Sequence, residues 1–170
     1  MPPVVVPFRR EGGKSRLGLG SVVAEAMLAD VLEAASALGP ALVADGDGGQ
    51  GPAVAGALQR ILEGAVLVVN ADLPCATARD LFTLLGSIPS DGIAVVEARD
   101  GTTNALGLGS PRQFVDLYGR GSAGRFLAQA GAVRVSIPNL VDDVDTLEDL
   151  ERLGSRVGPH TALALTGVPA

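Results

Sequence analysis

The stretch VLVVNADLP runs from Val66 to Pro74. Its first four residues are aliphatic and uncharged, which predicts a strand buried on both faces of a mostly parallel sheet. The strand ends in polar and turn-forming residues and delivers the carboxylate of Asp72 to its C-terminal edge. Because ligands of open α/β sheets bind at the carboxyl ends of the strands, Asp72 is placed to hold a metal ion that in turn holds phosphates. The alternative is that Asp72 only opens a strand-to-helix turn.

The composition indicates a layered α/β protein. A length of 170 residues predicts one domain, spanning residues 1–170. Hydrophobic residues make up 47% of the chain and aromatic residues only 3%, so the core is expected to be aliphatic. The 23 glycines and 11 prolines indicate many turns between the elements.

The charge narrows the class of partner. A formal net charge of -6 argues against nucleic-acid binding, which needs basic surface to neutralise phosphates. Any anionic ligand must therefore be held by local cations, backbone amides or a metal ion. No apolar run approaches the ~20 residues that a membrane helix requires, and no leader-like segment is recognised, so we expect a soluble, cytoplasmic protein without a membrane partner.

A basic loop follows the first predicted strand, Val4 to Pro7. Four of the thirteen cations fall within eight residues around a glycine pair: Arg9, Arg10, Lys14 and Arg16. A glycine loop after a strand can bring amides and cations to a phosphate, so we expect a triphosphate here. The spacing is not that of a P-loop, and solvated loop charge remains the alternative.

Periodicity and turn residues predict the remaining elements. Helices are expected over residues 21–38, 52–62, 77–85 and 123–130, with Ser21, Thr77 and Ser122 as N-caps. Strands are expected over residues 41–44, 93–96 and 133–137, with an edge strand over residues 105–108. The lone His160 is expected to be a surface residue.

Two polar segments are candidate binding turns. Asp100 to Asn104 offers small polar groups to a carboxylate or base, and the glycines before Ser122 leave amides at a helix N-terminus for a small anion. Both compositions also occur in turns without function.

A second acidic segment follows the last predicted strand. Asp142, Asp143 and Asp145 repel one another unless a cation is near, and Asp143 and Asp145 share one side of an extended backbone. One or more of these acids could instead serve the start of the next helix. If the strands are parallel neighbours, this segment, Asp72 and the basic loop meet at one sheet edge, which suits Mg²⁺-dependent phosphoryl or nucleotidyl transfer.

Five sequence motifs follow one another along the chain in a characteristic order: VPFRREGGKSRL, NADLP, DGTTNAL, YGRGS and DDVDTLEDL. Along nearly its whole length the chain resembles the phosphoenolpyruvate/2-phospho-L-lactate guanylyltransferase family of coenzyme F-420 biosynthesis. The resemblance implies a three-layer, Rossmann-like nucleotidyltransferase fold of the glycosyltransferase-A type, with a shortened second strand and helix. It also implies transfer of GMP from GTP to phosphoenolpyruvate, or to 2-phospho-L-lactate, with release of pyrophosphate. The Arg-, Ala- and Gly-rich composition resembles the actinobacterial members, which favours phosphoenolpyruvate.

The resemblance also implies roles for individual residues. The positions Asp72, Asp143 and Asp145 match Mg²⁺ ligands. Thr103, Gly119 and Ser122 match the family positions that bind the carboxylate of the small acid. Thr103 and Gly119 would bind it through their backbone amides and Ser122 through its hydroxyl. Nucleotide binding is implied for Arg9, Lys14 and Gly51, and a catalytic role for Lys14, Arg16 and Asp72.

The chain departs from the family in the segment from Gly51 to Leu58, which corresponds to the part of the family that contacts the nucleotide. There Ala53 stands in place of an expected Asn. This departure bears directly on how guanine is selected. The alternatives to the guanylyltransferase are a sugar-phosphate or molybdopterin nucleotidyltransferase and a degenerate module that binds without chemistry.

Overall fold

The computed structural model describes residues 1–9, 20–46 and 48–167. Six strands lie in this part of the chain: β1 (Val4–Pro7), β2 (Ala41–Ala44), β3 (Val66–Val69), β4 (Ile93–Glu97), β5 (Thr103–Leu108) and β6 (Val133–Arg134). The α-helices there are α1 (Gly20–Ser36), α2 (Gln50–Leu58), α3 (Ala78–Gly86), α4 (Ser122–Leu127), α5 (Pro138–Val141), α6 (Leu147–Leu153) and α7 (Pro159–Thr166). Two short 3-10 turns in the described ranges span Pro111–Gln113 and Gly154–Arg156.

The strands form one mostly parallel sheet in the order β2-β1-β3-β5-β4-β6. Strand β1 pairs parallel with β2 and β3, and β4 pairs parallel with β6. Only β5 among these strands runs the other way, pairing antiparallel with both β3 and β4. The predicted fold class is confirmed.

Successive side chains along each strand point to opposite faces of the sheet, so a hydrophobic core forms on each face. Val4 and Val6 join one buried cluster and Val5 the other, because successive strand side chains point to opposite faces. The first cluster includes Val31 of α1 and Leu81 of α3, whereas the second includes residues of α2 and α4. Helices on both faces give the three layers that the resemblance implied.

Two helices begin with reciprocal capping. The Thr77 hydroxyl accepts a hydrogen bond from the Asp80 N–H, and the Asp80 carboxylate accepts one from the Thr77 N–H at 2.9 Å. Thr146 and Asp149 form the same arrangement at the start of α6. Each box satisfies backbone donors that a helix start would otherwise leave unpaired. The Thr77 cap predicted from sequence is confirmed.

Several predicted elements differ in the structure. Helix α1 begins at Gly20, so Ser21 is not its N-cap. The expected edge strand at residues 105–108 is β5, which begins at Thr103 and lies inside the sheet, because all six of its residues are buried and both neighbours pair with it. The expected strand over residues 133–137 is only two residues long, because Pro138 starts α5 and Ile137 serves as its N-cap. The helix expected over residues 52–62 is displaced toward its N-terminus, as Gln50–Leu58.

The longest helix in the described residues, α1, has 17 residues. Within the described ranges, no helix combines the length and apolar character needed to cross a bilayer.

Candidate active site

Three carboxylates converge beside the C-terminal end of β3. Asp72 follows that strand, and its carbonyl oxygen accepts a hydrogen bond from the Val144 N–H at 3.0 Å. Val144 is fully buried between Asp143 and Asp145, so it anchors this segment in the core while its two acidic neighbours flank it. One carboxylate oxygen from each of Asp72, Asp143 and Asp145 lies within 4.8 Å of the other two.

The clustered charge changes the acidity of Asp143. Burial is the main cause and the charge of Asp72 the second, and together they raise the pKa of Asp143 to about 6. The hydrogen bond from the side-chain amide of Asn104 acts in the opposite direction and lowers this pKa, but less strongly. Carboxylate oxygens are the preferred ligands of hard divalent cations, and such a cation would offset this repulsion. The three aspartates therefore form a group that could hold a divalent metal ion.

Asn104 supports this group from β5. Its Nδ2 donates to the Val141 carbonyl oxygen at 3.1 Å and to Asp143 Oδ1 at 3.4 Å, and its side chain is buried. From sequence, Asn104 was expected only as part of a polar turn, without a role of its own. The available signal was a carboxamide at the start of an otherwise apolar strand.

The third acid of the segment, Asp142, has a different role. Its side chain is 5% exposed and accepts hydrogen bonds from three guanidinium groups, at 2.6 Å from Arg99 and 3.0 Å from both Arg152 and Arg156. Burial disfavours the charged carboxylate, but these hydrogen bonds outweigh it and lower the pKa of Asp142. Asp142 therefore ties together the turn after β4, α6 and the 3-10 turn after α6.

A cavity of about 400 Å³ opens next to the acidic cluster. Arg9, Gln50, Ala53, Asn70 and Asp72 are among the residues that line it. Its size suits a small organic ligand, since such sites measure roughly 300 to 1,000 Å³. Of the predicted nucleotide-binding residues, Arg9 borders this cavity, and Lys14 and Arg16 lie outside the described residues.

Gly51 occupies a crowded position behind the cavity. It is buried in the first turn of α2, and a Cβ atom there would collide with the carboxylate of Asp116. The cavity wall is formed by its neighbours Gly49 and Gln50. The absence of a side chain at Gly51 therefore allows the loop around Asp116 to pack against α2.

A relay of side-chain amides crosses from the cavity to β5. Gln50 Nε2 donates to Asn70 Oδ1 at 2.7 Å, and Asn70 Nδ2 donates to the Thr103 carbonyl oxygen at 3.2 Å. Because β5 is antiparallel to β3, its first residue lies at the same sheet edge as the end of β3. Sequence reasoning gave no role to Gln50 or Asn70, since their spacing of 20 residues carries no local signal.

The predicted acid-binding residues Thr103 and Ser122 are in direct contact. Their hydroxyl oxygens lie 2.9 Å apart, and both residues are buried. The Ser122 N–H donates to the Gly119 carbonyl oxygen at 3.0 Å, which closes the turn that carries Gly119. Ser122 is not the N-cap of α4 that the sequence predicted, because Gly121, at φ +70°, caps the helix and the Ser122 hydroxyl is directed to Thr103.

Arg125 holds this turn in shape. Its guanidinium donates to the carbonyl oxygens of Leu117, Tyr118 and Arg120, at 2.7 to 3.2 Å. A planar group with several donors can satisfy a curved backbone in this way. The geometry of residues 117–121 therefore depends on a side chain of α4.

A second group of potential metal ligands consists of Asp30, Glu33 and His160. The Asp30 carboxylate accepts hydrogen bonds from the backbone N–H groups of His160 and Thr161, both at 2.9 Å, and so caps α7. His160 Nε2 lies 3.1 Å from Glu33 Oε2, and its side chain is 49% exposed. These contacts tie α7 to α1, and the surface position predicted for His160 is confirmed.

Similarity to solved structures agrees with the fold. A protein of Desulfovibrio desulfuricans described as a nucleotide-diphospho-sugar transferase superposes with a TM-score of 0.76 at 16% identity, covering 98% of this chain and 95% of that one. A nucleotidyl transferase of Methanothermobacter gives 0.61 at 15% identity, over 99% of both chains. A manganese complex of Rv0371c from Mycobacterium tuberculosis gives 0.54 at 19% identity, over 90% of this chain and 97% of that one.

Curated relatives are also found, although no protein-family model matches the chain. Phosphoenolpyruvate guanylyltransferases of Sphaerobacter thermophilus and Roseiflexus castenholzii are 37% and 33% identical over 94 and 105 residues. These alignments cover 52% and 59% of this chain and 45% and 48% of the relatives, so the chain spans about half the length of these relatives.

One relative is matched over most of its length. The 2-phospho-L-lactate guanylyltransferase of Natrialba magadii is 31% identical in an alignment 190 positions long, which covers 86% of this chain and 80% of the relative. The alignment covers most of both proteins, as expected from the five family-like motifs that occur along nearly the whole chain. The chain therefore belongs to the phosphoenolpyruvate/2-phospho-L-lactate guanylyltransferase family.

Proposed function

We propose that this chain, acting as a single nucleotidyltransferase domain, joins GMP from GTP to phosphoenolpyruvate and releases pyrophosphate, a step of coenzyme F-420 biosynthesis. The convergence of Asp72, Asp143 and Asp145 beside a ligand-sized cavity carries the proposal. Family membership supports the guanylyl group as the group transferred. The contact between Thr103 and Ser122, two residues predicted to hold the acid, is consistent with a carboxylate-bearing acceptor.

The three aspartates are the proposed ligands of Mg²⁺. When bound, the ion would offset charge on the triphosphate oxygens. The manganese complex of Rv0371c supports a divalent ion at a site of this fold. In the protein, the Val144–Asp72 backbone hydrogen bond holds the two acidic segments together, and Asn104 restricts Asp143.

The cavity is the proposed nucleotide site. Arg9 and Asp72 both line it, so a positive charge borders the same cavity as the aspartate cluster. Together with Lys14 and Arg16, for which the sequence predicts the same role, Arg9 would counter the charge of the triphosphate. The leaving pyrophosphate would be stabilised by these cations.

The acceptor is proposed to bind through its carboxylate at the Thr103 and Ser122 pair. The proposed donors are the backbone amides of Thr103 and Gly119 and the hydroxyl of Ser122. The Ser122 hydroxyl now lies 2.9 Å from that of Thr103 and can rotate to donate to an incoming carboxylate. Asn70 holds the Thr103 carbonyl oxygen and so fixes the start of β5. This arrangement orients the acceptor phosphate for attack.

The transfer needs no covalent enzyme intermediate. A phosphate oxygen of the acceptor would attack the α-phosphorus of GTP, forming one P–O bond, while the bond between the α-phosphorus and the bridging oxygen to the β-phosphorus breaks. That acceptor oxygen is already ionised at neutral pH, so no general base is required. The contribution of the protein is positioning and charge stabilisation.

A substrate panel tests the proposal. The protein is incubated with Mg²⁺ and GTP together with phosphoenolpyruvate, 2-phospho-L-lactate, a sugar phosphate or no acceptor, and pyrophosphate release is measured. We expect release that depends on phosphoenolpyruvate and exceeds that with 2-phospho-L-lactate. No release with either three-carbon phospho-acid would contradict the proposal, and release with the sugar phosphate alone would assign the second enzyme class.

A further inference from the structure

We infer that Gln50 selects the nucleotide base, with its Oε1 atom accepting hydrogen bonds from the N1–H and N2–H donors of guanine. The inference rests on the proposed function, because it assigns the base to the cavity next to the aspartate cluster. It also explains how guanine can be selected in this chain, which has Ala53 where the family is expected to have an Asn.

The orientation of the Gln50 amide follows from the amide relay. The Thr103 carbonyl oxygen can only accept, so Asn70 must direct its NH₂ group toward it. Asn70 therefore presents its carbonyl oxygen to Gln50, and Gln50 must direct its own NH₂ group toward Asn70. The Thr103 carbonyl group thus fixes the orientation of Asn70, and Asn70 fixes that of Gln50. As a result, the side-chain carbonyl oxygen of Gln50 remains available to accept hydrogen bonds from a ligand.

Gln50 lies in the wall of the cavity, and we infer that its free acceptor faces the ligand there. Gln50 is half-buried and lines the cavity as the first residue of α2. It follows Gly49, whose positive φ of +97° favours glycine. Four alanines, Ala24, Ala44, Ala53 and Ala71, also line the cavity, and their small side chains leave room for a planar ring.

The other polar groups of this wall have separate tasks. Asn70 uses both ends of its amide in the relay, Asp72 belongs to the aspartate cluster, and Arg9 is a cation suited to phosphate. Among the described residues that line the cavity, Gln50 is thus the neutral side chain best placed to read a base.

An acceptor at this position distinguishes guanine from adenine. Guanine presents hydrogen-bond donors at N1 and N2, whereas adenine presents a lone pair at N1 and no amine at C2. Adenine would set its N1 lone pair against the Gln50 oxygen and leave that oxygen without a donor, which weakens binding. The relay resists the amide rotation that would relieve this mismatch, because rotation of Gln50 would oppose two carbonyl oxygens.

The test compares nucleotide affinities of the Gln50→Leu variant with those of a matched control. Gln59→Leu makes the same replacement at the exposed C-terminal end of α2, away from this cavity. Binding of GTP and ATP is measured by calorimetry with Mg²⁺, and transfer to phosphoenolpyruvate is assayed in parallel. We expect the unmodified protein and Gln59→Leu to bind GTP at least tenfold more tightly than ATP. In Gln50→Leu we expect this ratio to fall about tenfold, through weaker GTP binding.

A measurement on the unmodified protein keeps the inference open to refutation if Gln50→Leu does not fold. The triphosphate of 1-methylguanosine lacks the N1–H donor, and we expect it to bind at least tenfold more weakly than GTP. Equal binding of the two would overturn the inference, as would an unchanged GTP-to-ATP ratio in folded Gln50→Leu. If these results came with normal transfer by the unmodified protein, only the role of Gln50 would be lost. Absence of both GTP binding and transfer in the unmodified protein would instead overturn the proposed function and the inference together.

Discussion

The backbone N–H of Val144 donates to the carbonyl oxygen of Asp72 at 3.0 Å, joining two segments that are 72 residues apart in the sequence. This bond lies between the backbone of one acidic segment and that of the other. It holds Asp143 and Asp145 near Asp72 even though the three charges repel one another. The same geometry that suits a cation is therefore unfavourable for the metal-free protein, which leads to the first prediction.

We predict that Asp143→Asn stabilises the metal-free protein by about 1 kcal/mol while weakening divalent-metal binding. Burial and the charge of Asp72 raise the pKa of Asp143 to about 6, so ionising this group costs folding free energy at neutral pH. Urea unfolding at pH 7 in the presence of a chelator measures the difference.

The pH dependence gives an internal control for this prediction. Between the ordinary aspartate pKa near 4 and the folded value of about 6, the folded protein binds more protons at Asp143 than the unfolded chain does. The advantage of Asp143→Asn should therefore shrink as the pH falls from 7 to 4. An advantage that is absent at pH 7 or grows toward pH 4 would contradict this explanation.

Asn104→Leu should weaken divalent-metal affinity roughly tenfold, because Asn104 restricts Asp143 and the loss of such supporting contacts typically costs 10- to 100-fold. Titration calorimetry with Mn²⁺ measures the affinity. Asn139→Leu is the matched control, since the Asn139 amide contacts Asp80 and Arg156 and none of the three clustered aspartates. Equal losses in both variants would indicate a general effect on folding and would refute a specific role for Asn104.

Asp142→Asn should lower the free energy of unfolding by about 2 kcal/mol, since it removes the buried partner of three arginines. The arginines are 40% to 65% exposed, so water compensates part of the loss and the cost should stay below that of a fully buried pair. Urea unfolding at neutral pH, with exposed Asp91→Asn as the control, measures the effect. A difference between the two variants below about 0.5 kcal/mol would be inconsistent with the role assigned to Asp142.

The Asp149→Asn variant should lose stability that depends on pH. Burial opposes ionisation of Asp149, but hydrogen bonds from Arg152, Asp145 and Thr146 outweigh it and hold the pKa of Asp149 at about 2. Its stabilising contribution is fully present above the unfolded pKa near 4 and is lost as the pH falls toward 2. The gap in unfolding free energy between the native protein and Asp149→Asn should therefore close over this range. A gap that is constant from pH 6 to pH 2 would argue against charge as its cause.

Local patterns in the sequence predicted the elements that depend on local physics. Four aliphatic residues from Val66 to Val69 gave the central strand, and Thr77 followed by Asp80 gave a capping box, because each signal lies within a few residues. The sequence also placed Asp143 and Asp145 on one side of an extended segment, and the structure brings both to Asp72.

The features that the sequence did not predict depend on contacts between distant segments. The short apolar run of β5 contains no information about its neighbours, so its interior, antiparallel position was not expected. The resemblance implied that Thr103 and Ser122 bind the same acid, but the contact between their hydroxyls was not predicted. The capping role expected of Ser122 was wrong because its hydroxyl has a partner 19 residues away. The relay from Gln50 through Asn70 likewise becomes visible only when α2, β3 and β5 are placed together.

Mass spectrometry of the product formed from GTP, phosphoenolpyruvate and Mg²⁺ provides the decisive measurement. We predict a product in which GMP and phosphoenolpyruvate are joined through a phosphoanhydride, formed by the unmodified protein and reduced at least 100-fold in folded Asp72→Asn. Exposed Glu63→Gln should form it at the native rate. The absence of a joined product with the unmodified protein, or its formation at an undiminished rate by Asp72→Asn, would contradict guanylyl transfer at the three-aspartate site.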